Sequence, residues 1–170
     1  MVRGLPYRLA VLLLVSAGFG CGAGPSGHQT DREDGYSYQP PAGWNSAAVP
    51  GMKYKIAFGR PDRGFSPNIN IVDEAFRGSL RDYADLNTVN MEKALLKFRI
   101  LERSELRTAS GDPAIRFVTE NEQAGRMLRQ TFYFLARGGT KYIVTCSALA
   151  DGGKKLDGVF AAAVGSFTFR

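Results

Sequence analysis

The residues of this chain that could do chemistry are few. It has two cysteines, Cys21 and Cys146, and a single histidine, His28. A Ser-His-Asp or Cys-His arrangement and a histidine-rich metal site all need an imidazole among the folded elements. His28 stands instead in a glycine-rich polar stretch near the start. Cys146 lies in an alternating segment on the face shared by Tyr142, Val144 and Ala148, so a buried and inert thiol is expected. A reactive thiol would want a basic, exposed setting. The acidic pairs that could share a site are Asp73-Glu74, Asp82 with Asp85, and Glu120 with Glu122. A hard cation needs several converging oxygens, and neighbours in sequence show no convergence. Phe132, Tyr133 and Phe134 could form a stacking surface with Trp44. Alternation places Phe132 and Phe134 on one face and Tyr133 on the other, which favours core packing. No glycine-rich loop links a strand to a helix in phosphate-binding form. The sequence therefore nominates no catalytic, cofactor-binding or metal-binding residue.

Cys21 is the exception, because its setting implies covalent modification. Met1–Arg8 carries Arg3 and Arg8 and no acid, Leu9–Val15 reads LAVLLLV, and Ser16-Ala17-Gly18-Phe19-Gly20 leads to the cysteine. A basic end, a short apolar run and small residues describe a secretory signal peptide. The run is too short to span a bilayer, which takes about 20 residues. Gly20-Cys21 resembles the cut site of bacterial lipoproteins, with residues 1–20 removed and the Cys21 thiol carrying a diacylglyceryl group. Gly18 and Phe19 depart from the usual Leu-Ala-Gly-Cys. Two or three acyl chains at roughly 0.8 kcal/mol per buried methylene would anchor the chain permanently. Gly22 lacks the aspartate that commonly retains lipoproteins at an inner membrane, which points to the outer one in a host with two. The alternative is an ordinary signal peptide cut near Gly22-Ala23-Gly24, which leaves a soluble periplasmic or secreted protein.

Residues 21–35 are read as the acylated cysteine and a flexible tether, since Gly22–Gly35 has no apolar period. A tether of this length reaches about 20 Å on average. Residues 36–170 then form a single domain, long enough to bury a core. Removing Arg3 and Arg8 takes the formal charge from +6 to +4. The remaining excess is spread along the chain. Nucleic-acid binding would need a denser basic stripe, and none is present.

In the domain, Tyr36-Ser37-Tyr38 reads as a short strand ended by Pro40-Pro41. Met52–Phe58 alternates, with Met52, Tyr54, Ile56 and Phe58 on one face. Asn68–Asp73 places Ile69 and Ile71 together. Ser79–Phe98 is expected to be helical, with Ser79 and Asp82 as a capping box. A second segment is expected from Asn87 or Thr88, striped by Met91, Ala94, Leu95 and Phe98. Strands are expected at Ile100–Leu106, Ala114–Glu120, Met127–Ala136 and Lys141–Leu149. Turns fall at Ser110–Pro113 and Asn121–Gly125, and Gly138-Gly139 suits a type I′ hairpin. Lys154–Val164 is the last helix, with Leu156, Val159, Phe160, Ala163 and Val164 on one side, and Ser166–Phe169 a final strand. The class is α+β: a twisted, mainly antiparallel sheet with helices packed on it.

The order of several pieces is similar to the PsbP/DcrB superfamily, related in fold to the Mog-type Ran-binding factor. They are Tyr36-Ser37-Tyr38-Gln39-Pro40 with Gly43-Trp44, Asn68-Ile69-Asn70-Ile71, Ser79-Leu80-Arg81-Asp82-Tyr83, Gly138-Gly139-Thr140-Lys141-Tyr142, and Gly165-Ser166-Phe167. The resemblance implies an α/β/α sandwich and a mostly non-catalytic role, as in photosystem accessory subunits, envelope lipoproteins and binding adaptors. It brings no catalytic motif. The expectation is a monomeric accessory or interaction domain of the cell envelope, attached to a membrane through a lipid and working with an unidentified envelope protein. A small-ligand or lipid-binding envelope module is the alternative.

Overall fold

The computed structural model describes residues 31–33 and 35–170, so Cys21, His28 and the signal-peptide segment lie outside the described residues. A seven-stranded sheet forms the middle layer. In chain order its strands are β3 (Asn45–Ala47), β4 (Ile56–Phe58), β5 (Asn68–Ala75), β6 (Leu96–Arg107), β7 (Pro113–Gln123), β8 (Arg126–Arg137) and β9 (Thr140–Leu149). They lie in the order β3-β4-β5-β9-β8-β7-β6, and every pairing is antiparallel. A second, three-stranded sheet joins β1 (Asp31–Glu33), β2 (Tyr36–Tyr38) and β10 (Thr168–Phe169), with β2 in the centre. Residues 31–33, expected within the tether, thus extend this small sheet. No helix among the described residues is long and apolar enough to cross a membrane.

Helix α1 (Leu80–Ala94) covers one face of the large sheet. Its start is the expected capping box: the Asp82 amide donates to Ser79 Oγ at 3.1 Å, and the Ser79 amide donates to Asp82 Oδ2 at 3.0 Å. Tyr83, Ala84 and Met91 pack on Ile115, Phe117, Phe132 and Phe134. The helix is one segment and stops four residues before the expected Phe98. Leu95 is already extended, and β6 begins at Leu96. Phe98 still reaches the same apolar cluster from the strand, while Ala94 faces solvent. The spacing therefore recorded burial correctly but not the backbone that achieves it.

The opposite face carries the small sheet and the C-terminal segment. Leu149 leads into a single turn α2 (Ala150–Gly153), a 3₁₀ turn over Lys154–Leu156, and α3 (Asp157–Gly165). Phe160, Ala163 and Val164 are buried, but Val159 is 37% exposed and does not join them as expected. Aromatic rings fill this layer: Tyr36 stacks on Phe167 with centroids 4.7 Å apart and meets Tyr54 edge-on at 5.0 Å. The expected strand over Met52–Phe58 shortens to Ile56–Phe58, although Tyr54 and Ile56 remain buried and Lys53 and Lys55 exposed. β3 had no apolar alternation to reveal it; its outer residues are exposed.

The hairpin turns also differ from expectation. At Gly138-Gly139 only Gly138 has a positive φ (56°), the type II′ pattern. The pair with positive φ at both positions is Ala124 (49°) and Gly125 (73°), between Gln123 and Arg126. That is type I′ geometry, whose twist suits two long strands.

Candidate functional site

Among the described residues, each nucleophilic or acidic side chain singled out in the sequence is buried or engaged locally. Cys146 sits in mid-β9 between Ile69 of β5 and Thr131 of β8, wholly buried and free of disulfide. Burial pushes its thiol well above the ordinary value, so the nucleophilic thiolate is suppressed. Phe132 and Phe134 face α1 and Tyr133 the opposite layer, as alternation implied.

The acidic pairs do not converge. Asp73 binds Lys53 (2.6 Å), which holds the Lys53 ammonium charged above its usual range. Glu74 accepts the Tyr83 hydroxyl at 2.6 Å. Burial, reinforced by that carboxylate, pushes the Tyr83 phenol upward. Asp82 caps α1 and Asp85 pairs with Arg103 at 2.6 Å. Glu120 pairs with Arg99 and Glu122 with Lys97. Among the described residues no three His, Cys, Asp or Glu side chains are grouped to hold a metal ion.

A row of buried polar side chains crosses the α1 face of the sheet. Asn121 Nδ2 donates to Gln130 Oε1 at 2.6 Å, and Gln130 Nε2 donates to Ser147 Oγ at 2.8 Å. Gln123 Nε2 closes the row on both Asn121 Oδ1 (3.0 Å) and Gln130 Oε1 (3.1 Å). These amides satisfy one another, which fixes register across β7, β8 and β9.

Two surface features remain. The first is the outer edge of the sheet, β6. Leu96 (67%), Leu101 (44%) and Ile100 (37%) are exposed there, and Val89 of α1 is 44% exposed. Asp85–Arg103 ties this side of α1 to β6. Val89 follows one helical turn after Asp85 on the same side of α1. Two register shifts interrupt β6, between Leu96 and Arg99 and between Ile100 and Glu102. Such bulges turn an edge away from indiscriminate strand pairing. Three of the four basic side chains of the strand are ion-paired, Lys97–Glu122, Arg99–Glu120 and Arg103–Asp85, while Arg107 donates to the Gly111 oxygen. The edge thus exposes apolar side chains on both sides of the sheet, Ile100 opposite Thr119 on the α1 side and Leu96 opposite Glu122 on the other, among paired charges. Sequence reasoning missed it because the helical stripe appeared to account for Phe98.

The second is a pocket of about 280 Å³ where the loop from Gly59 to Pro67 meets the turn from Leu149 to Leu156, with Trp44 against its wall. Trp44 meets Phe160 edge-on at 6.0 Å. A Cβ on Gly59 would lie 2.7 Å from the indole ring, so this close approach requires glycine. The sequence signal lay in Asp62-Arg63-Gly64-Phe65, a two-residue turn motif inside what reads as an unstructured loop.

No protein-family model and no curated protein matches the chain. Solved structures share its fold. The cyanobacterial PsbP (CyanoP) of Synechocystis superposes with a TM-score of 0.63 at 16% identity, covering 90% of this chain and 98% of that one. LpqN of Mycobacterium tuberculosis, involved in cell envelope biogenesis, gives 0.64 at 13% identity over 81% and 86% of the two chains. PA94 of Pseudomonas aeruginosa, a protein of unknown function, gives 0.59 at 16% identity over 75% and 97%. The chain has the PsbP-like fold, an antiparallel sheet with helices packed on it, as the resemblance implied.

Proposed function

We propose that this chain is a non-catalytic accessory protein of the bacterial cell envelope, held at a membrane by an acylated Cys21 and docking a partner protein along β6. The exposed apolar side chains along the β6 edge, Leu96, Ile100 and Leu101, carry the reading. Apolar side chains exposed among polar residues are what protein interaction sites present, and the paired charges around them lower the electrostatic obstacle to burial. LpqN, which shares the fold, is involved in cell envelope biogenesis, and the signal-peptide pattern before Cys21 supports a place outside the cytoplasm. The paired state of each candidate carboxylate and the suppressed Cys146 thiolate support a role without covalent chemistry.

Two measurements test the two halves. Growth with a clickable fatty acid should label the wild-type chain and leave Cys21→Ala unlabelled; exported but unlabelled wild type would leave an ordinary secreted protein. A photo-crosslinking residue at Leu96 or Leu101 of the full chain should capture a specific partner. The same residue at Val159, exposed on α3, should not. Equal capture from both places would remove the β6 edge as the docking surface.

A further inference from the structure

The pocket beside Trp44 has walls that are fixed before any ligand arrives. Asp62 and Phe65 exchange backbone hydrogen bonds at 2.8 and 2.9 Å across Arg63 and Gly64, both with positive φ (47° and 73°). A left-handed arginine is uncommon and persists only where its surroundings hold it. Here the Arg63 guanidinium clasps Asp151, donating to its carboxylate and, at 2.8 Å, to its backbone oxygen. Arg126 Nη1 adds a hydrogen bond to the Gly64 oxygen at 2.7 Å. The tip of the loop is thereby pinned to the turn after β9 and to the start of β8.

Charge in the pocket is asymmetric. Its two lining carboxylates, Asp62 and Asp151, are both ion-paired to Arg63. Its two lining cations, Arg60 and Lys155, have no carboxylate within ion-pair distance among the described residues. The Lys155 ammonium lies 3.8 Å from where a Cβ of Gly152 would stand, folded over the turn. The same pocket is lined by the apolar side chains of Trp44, Phe65 and Leu156. We propose that this pocket binds a small single-chain carboxylate, its acyl body against Trp44, Phe65 and Leu156 and its head between Arg60 and Lys155. The volume is at the lower limit for ligand sites and admits one short chain, not a two-chain lipid. An unpaired guanidinium and ammonium facing one cavity supply the charge-assisted hydrogen bonds that a carboxylate accepts.

Trp44 is the only tryptophan of the chain, so its emission reports on this pocket alone. The full chain in phosphatidylcholine vesicles should show a saturable change in Trp44 fluorescence with octanoate, and about tenfold weaker binding of octanol. Replacing both Arg60→Gln and Lys155→Gln should weaken octanoate about tenfold while leaving the melting temperature and the octanol response unchanged. Octanol binding as well as octanoate, an unaltered octanoate affinity in the double variant, or no saturable change would each overturn the proposal. None of these outcomes touches the docking role of β6, which lies three strands away from β9 in the sheet.

Discussion

Arg129 of β8 holds Asp157, the first residue of α3, through two parallel hydrogen bonds, Nε to Oδ1 at 3.0 Å and Nη2 to Oδ2 at 2.7 Å. Both side chains are largely shielded, 12% and 22% exposed. The carboxylate also occupies the end of the helix where negative charge is favoured. Asp157→Ala should cost about 2 kcal/mol, the range for hydrogen bonds to charged groups. Arg129→Ala should cost a similar amount, and the double variant little more than either alone. Strictly additive losses in chemical denaturation would show that the pair does not act as a unit.

Phe160, 2% exposed, is the anchor of the same helix, touching Trp44 and the sheet. Phe160→Ala should cost about 3–5 kcal/mol, a large part of the stability of a domain this size. A melting temperature within a degree or two of wild type would mean that α3 is dispensable to the core.

Cys146 should react slowly with a maleimide in the native protein and quickly once denaturant is added. Cys146→Ser should be less stable than Cys146→Ala, because the hydroxyl would be placed in an apolar layer with Tyr133 and Val144. Equal labelling in both states would contradict a packed thiol.

Asp82 accepts from the Ser79 hydroxyl and then from the Ser79 amide, and these bonds hold its carboxyl below the ordinary value. A folded-state value below the unfolded one stabilises the protein above the unfolded range near pH 4. That contribution is lost as pH falls through the folded value. Asp82→Ala should therefore be less stable than wild type at pH 7 and converge with it at low pH. A constant gap between the two unfolding curves across this range would show that the capping box is not what Asp82 supplies.

Much of the fold was legible because burial follows alternation where both faces of a strand are used. Ile69 with Ile71, the split of Phe132 and Phe134 from Tyr133, and the Ser79–Asp82 cap all follow from local rules. Boundaries failed where tertiary packing satisfied the same spacing by other means. Phe98 fits a helical stripe and reaches its cluster from a strand instead. Val159 fits the stripe of α3 but stays 37% exposed, since only Phe160, Ala163 and Val164 of that helix are buried. The turn chemistry of Gly138-Gly139 and Ala124-Gly125 was not separable, since each pair admits more than one turn type. Neither surface feature was readable from residue type. The pocket depends on Arg63 reaching Asp151, 88 positions away, and the β6 edge on which strand happens to be last in the sheet.

The centre strand of the small sheet, β2, is completed by β10. Ser37 Oγ meets Thr168 Oγ1 at 2.8 Å across 131 positions, and the Arg170 amide donates to the Gly35 oxygen at 3.0 Å. A chain that emerges from its amino end first must keep Tyr36 and Tyr38 waiting until Phe167 and β10 appear. Closing so long a loop has an entropic cost that grows only slowly with length, so the delay is one of timing rather than of equilibrium. Until then the rings that stack on Phe167 are open to water or to whatever escorts the chain. Phe167 and β10 thus act as a late keystone: without them Tyr36 and Tyr38 would lose both the ring they stack on and the strand that pairs with β2.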